Sequence, residues 1–118
     1  TNDVAADVNF PTSTSLANLE WMIDQWVSLG LPASHVMLTT LPPRTVTDAA
    51  KIQNLNDGIR ALAQRKGVKL IDLVMLVSND NGGNWSGPSV HVDDFHYSEQ
   101  IRDQLATNVV SYMASLTP

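Results

Sequence analysis

His35-Val-Met-Leu-Thr-Thr40 and Val68-Lys-Leu-Ile-Asp-Leu73 are two short β-prone runs, each preceded by a helical pattern, and their reading decides the fold. Leu41-Pro42-Pro43 closes the first run abruptly, as expected of a buried strand with a sharp exit. Upstream of it, Leu16, Leu19, Met22, Ile23, Trp26, Val27 and Leu29 recur at mostly three- and four-residue spacing until Gly30 and Pro32 stop the pattern. This spacing predicts an amphipathic helix with Trp26 on its core face, entered from a polar loop over residues 4–15. Between the runs, Asp48 stands where an N-cap belongs, ahead of Ile52, Leu55, Ile59, Leu62 and Ala63. Arg65 and Lys66 fall where the helix dipole favours cations, and Gly67 follows. Two strands each fed by a helix imply right-handed crossovers and parallel pairing, so the class is α/β. Ile101, Leu105, Val109, Tyr112, Met113 and Leu116 mark a last amphipathic helix, giving about two parallel strands and three helices.

Composition narrows the function. A chain of 118 residues with 43% hydrophobic and 16% charged residues is long enough for one domain with a real core. Its formal charge of −5 and only seven scattered Lys and Arg disfavour a nucleic-acid or anionic-membrane partner, since phosphate neutralisation needs clustered cations. The absence of cysteine excludes a disulfide framework, a thiolate nucleophile and a zinc–thiolate site. No basic stretch leading into an apolar run opens the chain, and no apolar segment approaches the roughly 20 residues of a membrane span.

The chemistry concentrates near the last helix. Residues 78–89 are rich in turn formers and lead directly into Val92-Asp-Asp-Phe-His-Tyr-Ser98. That length of loop is characteristic of a functional surface segment. Asp93 lies three positions ahead of His96 at the mouth of a helix, where a carboxylate can hold one imidazole nitrogen as N–H and leave the other to take a proton. The competing reading is an N-cap aspartate beside a surface histidine. His91 and His96 with Asp93 and Asp94 are a weaker metal-like cluster, lacking a further ligand group. Ser86 and Ser89 precede the motif, but Ser86-Gly87-Pro88 lacks the strand-to-helix elbow of a strained nucleophile. Trp85 is placed either to line a substrate pocket or to anchor the loop, and residues 79–83 read as a solvated turn.

In this order, Val36-Met-Leu-Thr-Thr-Leu-Pro-Pro43, Val68-Lys-Leu-Ile-Asp-Leu73 and Asp93-Asp-Phe-His96, with helices between, the chain resembles the second half of the SGNH (GDSL) hydrolases. Thr1-Asn2-Asp3 resembles the end of that family's Gly-x-Asn-Asp block, so the likeness runs along nearly the whole chain. The resemblance implies a flavodoxin-like three-layer fold, present in part, in which residues 1–118 are the C-terminal portion of one hydrolase domain. It makes His96 the general base, Asp93 its orienting acid and Asn2 an oxyanion-hole donor, with no cofactor.

The family's nucleophilic serine belongs to a Gly-Asp-Ser-Leu-like block upstream of the Asn block, and no Gly-Asp-Ser occurs here. Ile101 stands where the family often has glycine, about five residues after the histidine. What the resemblance implies is therefore a fragment of a serine ester hydrolase, of esterase, lipase, thioesterase or carbohydrate-deacetylase type, acting on a small ester. Its implied partner is the missing N-terminal segment or a second copy of the chain covering an open sheet edge. The alternative is a non-catalytic α/β module with a vestigial site.

Overall fold

The computed structural model describes residues 11–44, 49–93 and 96–116. The elements run α1 (Thr12–Ser28), β1 (Met37–Thr39), α2 (Ala49–Lys66), β2 (Lys69–Ile71), α3 (Val74–Val77) and α4 (Glu99–Ser115). The strands pair in parallel, with Met37 opposite Lys69, Leu38 opposite Leu70 and Thr39 opposite Ile71. An α/β fold with a parallel sheet follows, as the helix–strand alternation requires.

Leu38 and Leu70 point to the face covered by α1 and α2, where they pack against Ile52, Leu55, Ile59, Ile23 and Leu62. The opposite face meets α4: Lys69 Nζ lies 4.9 Å from the Tyr112 ring centroid, a cation–π approach. Helices therefore flank the sheet on both sides. Helices α1 and α2 run alongside each other, and Gly58 of α2 sits so close to Leu16 that a Cβ there would collide with its methyl groups. Glu20 accepts from Lys66 at 2.9 Å and Arg65 at 2.8 Å, and these cations hold its carboxyl below the ordinary range.

Several boundaries differ from the sequence expectation, each for a local reason. The run Thr12 to Ser15, expected in a loop, is the first turn of α1, because the Pro11 carbonyl, in extended backbone, accepts the Thr14 and Ser15 amides. His35 lies in a 3₁₀ turn (Ala33–His35), which shortens β1. Trp26, expected in the core, is 52% exposed. It shares that exposure with Trp21, Met22, Val27 and Leu29, so the helical stripe is wider than the surface beneath it. The expected N-cap Asp48 lies outside the described residues. An unanticipated single turn, α3, follows β2 directly, and its Val74 and Val77 are fully buried. A four-residue apolar run is too short for period alone to separate helix from strand.

The strand ends are registered by buried polar side chains. Thr40, fully buried, donates its hydroxyl to Asp72 Oδ1 at 2.9 Å and accepts the Val74 amide at 2.9 Å. Asp72 in turn receives Arg60 as a fork, Nε to Oδ2 at 2.8 Å and Nη2 to Oδ1 at 3.0 Å. That bidentate contact, the strongest side-chain hydrogen-bond type, raises the Arg60 guanidinium further above its ordinary value. Asn56, also fully buried, accepts the Leu41 amide at 2.7 Å and donates to the carbonyls of Leu41 and Asn81, both at 3.0 Å.

Truncating Asn56 strands three part-buried backbone groups, each worth up to about 1–3 kcal/mol when left unpaired. Asn56→Ala is expected to lower unfolding stability by about 2–4 kcal/mol. Urea titration followed by circular dichroism measures it, and a loss below about 0.5 kcal/mol would contradict the bonding.

Candidate active site

Residues 79–83 form a turn as expected, solvated at Asn79 and Asp80, but its second half is pinned to α2. Asn81 occupies the left-handed region (φ 60°), tolerable for asparagine, and Gly82 follows at φ 99°. A Cβ at Gly82 would lie 2.6 Å from Ile52 Cγ2, so the chain passes α2 at a distance that only glycine permits. Asn81 accepts from Arg60 and donates to the Gln53 carbonyl at 3.1 Å and to Asp57 at 3.0 Å. Asp80 gathers the next residues: its carboxylate accepts the Asn84 amide, the Asn84 side chain and the Ser78 hydroxyl, all at 2.8 Å. The Asn84 backbone amide first, then its side chain, keep the Asp80 carboxyl below its ordinary value.

From this anchored loop the chain reaches the motif. Trp85, Val90 and Tyr97 pack on the cluster of Leu73, Val77 and Ile101. An antiparallel bridge joins His91 and Tyr97, with the Val92 amide donating to the His96 carbonyl at 2.9 Å and the Ser98 amide to the Val90 carbonyl at 2.8 Å. The motif is thus a short hairpin closing at the N-terminus of α4.

Within it the structure brings Asp93 and His96 together. His96 Nδ1 lies 2.8 Å from Asp93 Oδ2 and 2.9 Å from Oδ1, while Oδ1 also accepts the His96 backbone amide at 2.7 Å. An ionised carboxylate only accepts, so Nδ1 carries the hydrogen and the neutral ring has its lone pair on Nε2. The imidazole is 72% exposed and reachable by a large partner group. The arrangement can orient an imidazole and take up a proton at Nε2.

The other expected site residues divide. Asn2, Asp94 and Phe95 lie outside the described residues. Trp85 stands beside the motif, its ring stacked on His91 with centroids 4.9 Å apart and planes at 20°. His91 Nδ1 is turned to the Asp93 carbonyl at 2.9 Å. Among the described residues no group of three His, Asp or Glu side chains converges as a metal site. No helix among them is long and apolar enough to cross a membrane. Sequence reasoning missed Asn56, Asp72 and Asn81 as supports, although Asp72 closing an apolar run was a visible cue to a polar partner.

Comparison with solved structures identifies the fold. A GDSL-like lipase from Bacteroides thetaiotaomicron VPI-5482 matches with a TM-score of 0.74 and 20% identity, over 93% of this chain and 56% of its own. A candidate acylhydrolase from Bacteroides fragilis NCTC 9343 matches at 0.79 and 23% identity, over 99% of this chain and 59% of its own. The chain thus has an SGNH hydrolase-like α/β fold and spans less than three fifths of the length of these structures. No family model and no curated protein matches it.

Because the Asp80 value is lowered in the folded state, its bonds stabilise the loop at neutral pH, and that contribution is lost as pH falls below about 4. Unfolding titrations from about pH 5 to pH 2 should show a shallower acid decline for Asp80→Asn than for the parent chain. Parallel declines would contradict the assignment.

Proposed function

We propose that residues 1–118 are the C-terminal portion of a serine ester hydrolase domain of the SGNH type, supplying the base half of its catalytic machinery. The observation that carries this reading is the two-oxygen approach of Asp93 to His96 Nδ1, in a chain with an SGNH hydrolase-like fold. In this reading a serine from a preceding segment gives its proton to His96 Nε2 as its oxygen adds to the ester carbonyl. Asp93 holds the imidazole tautomer and stabilises the imidazolium. The oxyanion is met by donors that include the Asn2 side-chain amide, each such donor contributing on the order of 100-fold or more. Collapse expels the alcohol, which takes the proton from His96, and water then releases the acid by the same steps. Trp85 supplies an apolar wall beside the pair for a small acyl ester.

The partner in this reading is the preceding segment. Among the described residues β1 is paired on one edge only. Beside that edge lies an apolar groove of about 480 Å³ lined by Leu19, Met22, Met37, Leu38, Leu41 and Leu55. Unpaired edges with exposed apolar flanks recruit another strand. Without the preceding segment, a second copy of the chain covers this face.

Two experiments test the reading. In the polypeptide extended through the region encoded upstream of Thr1, p-nitrophenyl acetate hydrolysis should fall roughly a thousandfold or more in both His96→Ala and Asp93→Asn. Turnover unaffected by His96→Ala rejects the base assignment, and no hydrolysis in the extended parent favours a non-catalytic module. For the 118-residue chain alone, chromatography with light scattering should give a dimer or larger species. A well-folded monomer refutes the open-edge partner.

A further inference from the structure

The acid–base pair has little packing to hold it, since Asp93 and His96 side chains are 50% and 72% exposed. Its geometry must come from hydrogen bonds on a short hairpin, and one of these is made by a residue with no role in the reading above. His91 Nδ1 lies 2.9 Å from the Asp93 carbonyl oxygen. A carbonyl only accepts, so this nitrogen is the N–H and the neutral ring keeps its lone pair on Nε2. The ring cannot swing freely, because it stacks on Trp85 at 4.9 Å and 20°. Trp85 is seated on Leu73, Val77 and Ile101.

We propose that His91 is a positioning residue for the acid–base pair: fixed against Trp85, it holds the Asp93 main chain so that the Asp93 carboxylate faces His96 Nδ1. This rests on the reading of Asp93 as orienter and His96 as base. Three bonds then locate Asp93 within the hairpin. Its own carbonyl is held by His91 at 2.9 Å, its carboxylate by the His96 amide at 2.7 Å, and the preceding Val92 amide by the His96 carbonyl at 2.9 Å. The last two tie the hairpin to itself. The hairpin is already seated on the apolar core by Val90 and Tyr97; the first bond adds a tie, through the aromatic stack, at the residue that bears the orienting carboxylate. Rotation about the Asp93 main chain is the motion that would carry the carboxylate from the imidazole, and His91 opposes it. Outer-shell partners that orient metal-ligating histidines cost about 10–100-fold when removed, and a loss at the lower end of that range is expected here.

The test reads the ring nitrogens directly, on the 118-residue chain labelled with nitrogen-15 at its histidines. Long-range correlation to the carbon-bound ring protons, at a pH where both rings are neutral, should show His91 and His96 as Nδ1–H tautomers. His91→Leu removes the donor while filling similar space, and should convert His96 to a mixture of both tautomers. His91→Asn, whose amide nitrogen takes the place of Nδ1 without the stack on Trp85, should keep more of the parent tautomer than His91→Leu, and because the two variants nearly match in shape a general folding defect would affect both. In the extended enzyme His91→Leu should lower kcat about tenfold with a smaller effect on KM, and His91→Asn should restore part of the kcat. A His91 ring protonated on Nε2, or an unaltered His96 tautomer and kcat in His91→Leu, overturns the proposal. Activity that survives His96→Ala instead defeats the base reading and leaves the tautomer result standing.

Discussion

The Asp72 carboxylate, at the carboxyl end of β2, is the point through which the two strands, α2 and the loop after α3 are held in register. Strands of three residues make few ladder bonds, and a lone parallel pair is marginal in water. Asp72 adds a fork to Arg60 of α2 and a bond from Thr40 at the end of β1. Thr40 passes the constraint to the start of α3 by accepting the Val74 amide. The Asp72 carboxylate that accepts from Arg60 and Thr40 is half-buried, so solvent weakens those bonds less than it would an exposed pair. The ion pairs of Glu20 and Asp24 with Lys66 join α1 to α2 through a single ammonium rather than a fork, and the Asp24 partner is exposed, where such a pair contributes little to stability.

Rigidity then passes outward in steps of falling burial. Arg60 also donates to Asn81, and Asn56 reaches the Asn81 carbonyl, which fixes residues 81–82 in positive φ against α2. Beyond that point packing takes over from hydrogen bonding, with Trp85, Val90 and Tyr97 on the core beside α4. The last step is the Asp93–His96 pair, which is exposed; under the proposed function that exposure leaves His96 Nε2 open to a nucleophile. A partly buried polar network thus sets position, and the exposed pair lies at its end.

The sequence made legible what depends on local pattern. Strand pairing direction followed from the helix–strand alternation, and the Asp93–His96 contact followed from their three-residue separation at a helix start. Boundaries were less legible: Ser and Thr are weak helix formers, so Thr12 to Ser15 read as a loop, and only the Pro11 carbonyl shows why they begin α1. The supports of the site were hidden because they act over long separations. Asn56 meets Leu41 and Asn81 from a position that looks like any polar residue on a helix. His91 drew notice only as one member of a metal-like cluster, since a stack with Trp85 has no signature in spacing.

Trp26 is the instructive miss, and its cause is geometric. Two strands about 4.8 Å apart present a surface roughly 10 Å across, the width of one helix. Two helices, α1 and α2, lie side by side on the same face of that sheet. Helix α2, which crosses from β1 to β2, takes the central position, with Ile52, Leu55, Ile59 and Leu62 all buried. Helix α1 therefore buries only the flank nearer α2, through Ile23, Leu19 and Leu16, and leaves Trp21, Met22 and Trp26 without cover. Its apolar stripe suits a sheet about twice as wide, with further strands on the β1 side. The matched structures, which extend well beyond the part this chain covers, have the length to build such strands. The apolar spacing of α1 is therefore real, but in this chain its Trp21, Met22 and Trp26 face is exposed; under the proposed function, the preceding segment is what would cover it.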